Sequence, residues 1–390
     1  MKLLREVFIK PPAEANCDEH IVWKLKKCAY GLNDAAREWY FTMKNFLLKL
    51  GCVQIKTDPS AFCWYQSNEL SGVFVMHVDD FLWGGTKLFE KEVICKIRSH
   101  FKVGEQNNLA FKYIGINMKQ NLSEDVKLDQ NAYVESIKPI PIAAARAMKK
   151  DEYCNKVEFD QYRGLVGQLG WLCTNSRPDI SFDVLELSCK NSQPKIEDII
   201  QANKCLRKVG TTESSIKFPD LGNLQNSELV VYTDASHGNL PDGVGSTGGF
   251  IVFLKGENDR CCPLYWESKR IRRVVRSTIA AETLAATEGI DMAIYLSNIL
   301  SQIIYNGKPN CIPVTLYVDN KSLFENVHST KNVSEKRLRI DIAVMKELVD
   351  EKKLKIKWVE SKNQIADVLT KKGVNGCKIL NVLELGSFTT

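Results

Sequence analysis

Two segments of the 390-residue sequence, Leu229 to Ser236 (LVVYTDAS) and Val314 to Asn320 (VTLYVDN), share one design: an apolar, β-favouring run that ends in an aspartate. Each reads as a buried strand. Ligands of α/β folds sit outside the carboxyl ends of such strands, so Asp234 and Asp319 are placed to face one crevice. Two carboxylates converging there outline a metal site.

A chain of this length exceeds the usual limit for one core, so two or three domains are expected. With 44% apolar and 26% charged residues it should bury an ordinary globular core. The net charge of +6 argues only weakly for an anionic partner. However, Lys269, Arg270, Arg272, Arg273 and Arg276 crowd into residues 269–276. Alone, such a run reads as a solvated loop; beside a metal site it points to nucleic acid. The thirteen cysteines form no Cys-x-x-Cys pair, and they read as reduced, mainly packed thiols of an intracellular protein. The five histidines make no i, i+4 pair, which argues against a zinc-type helix site. No amino-terminal apolar h-region or membrane-length apolar run occurs, so a soluble, non-secreted chain is expected.

In chain order, MKLLREVFIKPP reads as a short strand stopped by Pro11-Pro12, and Ile21 to Leu25 as another. Asp34 can cap a helix in which Trp39, Met43, Phe46 and Leu47 fall at helical spacing and which Gly51 ends. Trp39 and Phe46 read there as a packed aromatic stripe. GVFVMHVDDFLWGG (residues 72–85) predicts a β-hairpin with Asp79 and Asp80 at its tip. Paired carboxylates near apolar surface need a cation or open solvent, and a metal site and a bare turn both satisfy that. Residues 162–187 read as two helices broken at Asn175-Ser176-Arg177-Pro178, with Arg177-Pro178-Asp179 as a capping turn.

Past the Leu229 strand, a glycine-rich turn (Gly238 to Gly249) leads into strands GFIVFL and LYWES, an antiparallel meander with the first. A helix follows from about Ser277, with Glu282 on a face shared with Ala285, Ala286 and Gly289. A carboxylate on such a small, buried-looking face is unusual, whereas Glu288 reads as helix surface. VTLYVDN, a helix from Glu335 to Glu351, a strand LKIKWVE and a last helix with Asp367 near its start complete the chain.

LKKCAYGLNDAAREWY, HVDD, YIGINMKQN, LDQNAYVESI, YRGLVGQLGWLCTNSRPDISFDVLELS and ANKCLRKVGTT, in that order, resemble the reverse transcriptase of copia-type LTR retrotransposons. That family's pattern is a Leu-Tyr-Gly-Leu-x-x-Ala-x-Arg-x-Trp helix start followed by a Tyr-Val-Asp-Asp hairpin. Here Ala29 precedes Tyr30-Gly31-Leu32, Arg37 and Trp39 match, and His77 stands where Tyr is usual. The resemblance implies that Asp79 and Asp80 are catalytic, metal-binding residues of a polymerase palm, acting with a carboxylate on a preceding strand. In the family that Asp lies shortly before the part resembling LLREVFIKPP, and the first Asp of this chain is Asp18. The expectation is therefore a palm remnant with its polymerase activity lost, unless a longer Pol product or a second Pol chain supplies the rest.

The meander followed by helix, strand, helix, strand and helix, with Asp234, Glu282, Asp319 and Asp367, resembles the RNase H fold and its Asp-Glu-Asp-Asp set. The copia counterparts read Asp-Ala-x-(Trp/His), Ala-x-Glu, Val-Asp-Asn and Gln-x-Ala-Asp-x-Leu-Thr-Lys. The resemblance implies two magnesium ions, with manganese as a substitute. Asp234 would bridge them, with Glu282 and Asp319 on one and Asp367 on the other. Lys269, Arg270, Arg272, Arg273 and Arg276 would meet the phosphates of an RNA–DNA hybrid. No histidine of the kind some cellular members use in product release stands near Asp367.

The expected fold class is α/β: an α+β palm remnant over 1–125, a helical thumb or connection over 126–225, and an RNase H-like domain with a mixed five-stranded sheet over 226–390. The expected function is magnesium-dependent endonucleolytic hydrolysis of RNA in RNA–DNA hybrids, in the cytoplasm (within a virus-like particle) or the nucleus. The alternative is an inert nucleic-acid-binding remnant of a transposon. An integrase or transposase ranks below both, because the zinc module is missing and HVDD would go unexplained.

Overall fold

The computed structural model describes residues 5–18, 20–29, 31–121, 125–307, 312–329 and 335–388. The chain divides into two units, Met1–Gln106 with Ser301–Pro309, and Asn107–Leu300 with Asn310–Thr390. No helix among the described residues is long and apolar enough to cross a membrane, and the described cysteines are all free.

In the first unit, strands β1 (Phe8–Ile9) and β2 (Trp23–Lys24) pair antiparallel. Both are shorter than the sequence predicts. All four of their residues are exposed, so no buried face extends the ladder. Helix α1 (Ala35–Lys49) buries Met43 and Leu47 completely and is followed by Gly51 in the left-handed region at φ 82°. Asp34 holds the N-cap position, but its side chain makes no capping bond. Its backbone is already helical, and its carboxylate accepts instead from Arg5 Nε at 2.9 Å. Tyr30 of the family pattern lies outside the described residues.

Strands β3 (Val53–Gln54), β4 (Ala61–Gln66), β5 (Glu69–His77) and β6 (Asp80–Gly85) then form an antiparallel sheet in chain order. Phe62 and Phe74 of this sheet pack with α1 and with Phe89, Val93 and Ile97 of the helical stretch that follows β6. Gly72 and Gly85, partners across β5 and β6, leave the space that the Phe89 ring fills: a Cβ on Gly72 would lie 2.2 Å from it.

The second unit opens with a sheet that the sequence did not reveal. Its strands β7 (Ala110–Tyr113), β8 (Ile116–Gln120), β9 (Val126–Asp129) and β10 (Ile216–Phe218) are short and mostly half-exposed, so they leave little hydrophobic periodicity to read.

Between β9 and β10 lie α2 (Lys156–Asn175), α3 (Ser181–Ser188) and α4 (Ile196–Gly210), around a core of Tyr162, Leu165, Leu169, Leu172, Ile180 and Ile199. Helix α2 begins before the predicted Tyr162 because Asn155 and Glu158 form a capping box. The Arg177-Pro178-Asp179 turn does more than cap. Arg177 is buried, donates Nε and Nη2 to the two Asp179 carboxylate oxygens at 2.8 and 2.9 Å, and donates Nη1 to the carbonyls of Val209 and Thr212 at the end of α4.

The expected mixed five-stranded sheet follows. Strands β11 (Glu228–Ser236), β12 (Thr247–Lys255), β13 (Cys261–Arg270), β14 (Val314–Val318) and β15 (Leu354–Trp358) lie in the order β13-β12-β11-β14-β15. The first three are antiparallel, and β14 and β15 add in parallel. Helix α5 (Thr278–Ile304) packs closely on the sheet, since a Cβ on Gly289 would lie 2.8 Å from Thr233 Cγ2. On another face Ile251 and Phe253 meet Val368, Leu369 and Leu383.

Helix α6 (Lys321–His328), capped by Asn320, was not anticipated; α7 (Arg339–Asp350) was. The last helix, α8 (Cys377–Leu385), does not contain Asp367. That residue lies in a 3-10 turn, Ile365–Leu369, set apart from α8 by Gly373 at φ 74°.

Candidate active site

Asp234 stands near the end of β11, directly opposite Gly249 on β12. The missing side chain at Gly249 matters: a Cβ there would lie 2.6 Å from Leu369 Cβ and 2.8 Å from Thr370 Cγ2. The bare backbone lets the segment after the 3-10 turn lie against the sheet. Asn239 ties it down, donating Nδ2 to the Thr370 carbonyl at 2.8 Å while its Oδ1 accepts from Thr247 Oγ1 at 2.9 Å. As a result Thr370 Oγ1 donates to Asp234 Oδ2, and Lys371 Nζ lies 3.2 Å from Asp234 Oδ1.

Glu282 reaches the same place from α5. Ala281 and Ala285 pack there with Ala235, and Gly289 lies further along the helix. These small residues bring the helix axis close enough for a short carboxylate arm. Glu282 is only 4% exposed, and its Oε2 has no hydrogen-bond partner. Asp319 follows β14. It accepts from Ser361 Oγ at 2.8 Å, and its carbonyl accepts from Trp358 Nε1 at 2.9 Å, so the end of β15 orients it. One carboxylate oxygen from each of Asp234, Glu282 and Asp319 lies within 4.8 Å of the others. Asp367 is outside that trio and joins it through Lys371 Nζ, 2.6 Å from Asp367 Oδ1.

Burial pushes the Glu282 carboxyl up to about 9, and the charges of Asp234 and Asp319 push the same way. Burial likewise raises Asp234 to about 6, against the pull of Lys371 and Thr370. Among the described residues the Lys371 ammonium meets two of these acids, Asp234 and Asp367, and an oriented, all-oxygen set with an unpartnered buried oxygen suits a hard divalent cation.

Asp79 and Asp80 belong to the first unit. His77 pairs with Asp80, leaving Val78 and Asp79 as the exposed hairpin tip. Val78 has φ 56°, a region a β-branched residue rarely adopts, and its carbonyl accepts from Trp39 Nε1 at 2.9 Å. Trp39 is therefore a tether for the tip as well as part of the aromatic stripe. Among the described residues no third acid, His or Cys joins Asp79 and Asp80 to make a metal-holding group.

The basic run is largely paired within the protein. Lys269 lies between Glu267 and Glu288, Arg270 lies on Asp242, and Arg273 is 3.6 Å from Asp341. Arg272 and Arg276 are exposed, and no ion pair occupies them among the described residues.

Sequence reasoning did not single out Thr370, Lys371, Gly249 or Asn239. For Thr370 and Lys371 the signal was the Thr-Lys that ends the family pattern around Asp367, to which Lys371 adds its place four residues after that acid. The contacts of Gly249 and Asn239 are tertiary.

Residues 1–145 match the family described as reverse transcriptase (RNA-dependent DNA polymerase). The retrovirus-related Pol polyprotein from transposon RE1 of Arabidopsis thaliana is 28% identical over 376 residues, covering 93% of this chain and 25% of that protein. The one from transposon TNT 1-94 of Nicotiana tabacum is 26% identical over 395 residues, covering 95% of this chain and 28% of that protein. The chain spans about a quarter of the length of these relatives. Among solved structures, the N-terminal RNase H domain of Rv2228c from Mycobacterium tuberculosis is similar at 18% identity and TM-score 0.28, over 37% of this chain and 90% of that one. The chain is thus similar over nearly its whole length to part of the Pol polyproteins of copia-type retrotransposons, and its first 145 residues match the reverse transcriptase family.

Proposed function

We propose that the chain is a ribonuclease H that hydrolyses the RNA strand of RNA–DNA hybrids with magnesium, the ion that suits its oxygen donors. The observation that carries this reading is the convergence of Asp234, Glu282 and Asp319, with Asp367 joined through Lys371. A divalent cation held there would assist in-line attack of water on the phosphodiester and stabilise the departing 3′ oxygen. The chain's own residues prepare for that step. Ser361 aims Asp319, and Thr370 aims Asp234. Glu282 offers a buried oxygen with no competing donor. Arg272 and Arg276 are the members of the basic run with charge to offer phosphates, and 2′-hydroxyl contacts would select RNA.

Within the same reading, Asp79 and Asp80 are the metal-binding pair of the reverse transcriptase part, residues 126–225 are its thumb or connection, and 226–390 form the nuclease domain. The resemblance to Pol polyproteins supports work inside the cell. The test is cleavage of an end-labelled RNA–DNA hybrid by the purified chain with magnesium, with manganese, EDTA and duplex-DNA lanes alongside. Cation-dependent loss of the RNA strand alone is the expected result. No cleavage by a protein shown to be folded would overturn it in favour of an inert nucleic-acid-binding remnant.

A further inference from the structure

One side chain at the centre carries the opposite sign to the rest. Lys371 Nζ lies 2.6 Å from Asp367 Oδ1 and 3.2 Å from Asp234 Oδ1, while Thr370 Oγ1 donates to Asp234 Oδ2. Both oxygens of Asp234, a buried acid that the cluster shares, are therefore already engaged. A divalent cation bound at Asp234 would face the ammonium at short range, and like charges so placed repel. The Lys371 side chain is 38% exposed, and a flexible four-carbon stem can carry its charge out to solvent.

We propose that Lys371 is the resident counter-ion of the metal-free centre: its ammonium holds Asp234 and Asp367 together and must leave Asp234 when a divalent cation binds. The proposal rests on the reading of Asp234 as a cation ligand. Competition makes Lys371 a brake on cation affinity. A brace would act the other way, because without it Asp234 would lose orientation and bind the cation less well. The sign of the affinity change separates the two roles.

The experiment is calorimetric titration of magnesium into the full chain, as wild type and as K371M, K371R and D234N, with the thermal midpoint of each recorded with and without the ion. K371M is expected to bind magnesium about fivefold more tightly, the worth of one partly exposed charge pair. Magnesium should also raise its midpoint further than that of wild type. K371R keeps the charge and stays close to wild type. Equal or weaker binding by folded K371M overturns the counter-ion role and leaves the cation site standing, provided D234N abolishes the wild-type signal. A magnesium signal unchanged in D234N removes the cation site and the counter-ion role together. Should K371M not fold, K371Q keeps the stem and loses the charge, and its affinity is read in the same way.

Discussion

Glu282 and Asp234 are held where ionisation is opposed, and that sets how the protein responds to pH. Glu282 titrates near 9 in the folded chain against an ordinary value of 4.5, and Asp234 near 6 against 3.8. Between those limits the folded chain keeps protons that the unfolded chain has released, so raising the pH favours unfolding. The metal-free protein should lose stability steadily from about pH 4 to about pH 9, and magnesium should restore most at the upper end. Thermal melts across that range, with and without the ion, measure both effects. Glu282→Gln should raise the metal-free midpoint at pH 8 by a few degrees and flatten the pH profile, at the expense of cleavage. Asp234→Asn should lower hybrid cleavage on the order of a thousandfold while hybrid binding, followed by filter retention, persists. Undiminished cleavage in that variant would sink the cation assignment.

Helices and turns show why part of the site was legible and part was not. The strands ending in Asp234 and Asp319 announce themselves by local apolar runs, and Glu282 stands out because alanines surround it on one helix face. Asp367 is legible in the sequence, but its setting, a 3-10 turn and not the start of the last helix, is not. Its turn is shaped by Gly249 and Asn239, which lie far away in the chain and act only once the sheet has formed. Arg177 shows the same limit: a Pro-Asp turn signal conceals a buried guanidinium that closes the end of α4. Arg177→Met should destabilise the chain by about 3–5 kcal/mol in urea unfolding, because Asp179 would be left buried and unpaired. Adding Asp179→Leu should recover part of that loss, which a double-mutant cycle would quantify. In the basic segment, exchanging Arg272 and Arg276 for Ala should reduce the log–log salt slope of hybrid binding by roughly two, whereas Lys269→Ala should change it less, since Glu267 and Glu288 already occupy that ammonium.

For the whole chain, the decisive fact is two units with separate interiors. Met43, Phe62, Phe74 and Phe89 anchor a core in the first, while the acids Asp234, Glu282 and Asp319 belong to the second. Scanning calorimetry should therefore resolve more than one transition, and magnesium should shift only the one that includes the acids. A single transition moving as a whole would show that the two interiors melt together. The sheet of β7 to β10 was less legible than the five-stranded sheet, because it draws on short, half-exposed strands from distant parts of the sequence.

Gly249 carries no chemistry, yet a single methyl group there would collide with Leu369 and Thr370 and push away the segment that presents Asp367 and Lys371. A chain can therefore lose this arrangement at one glycine while every acid survives. Intact carboxylates are then an incomplete mark of an intact cluster, and the glycine opposite the first of them belongs in the same inspection.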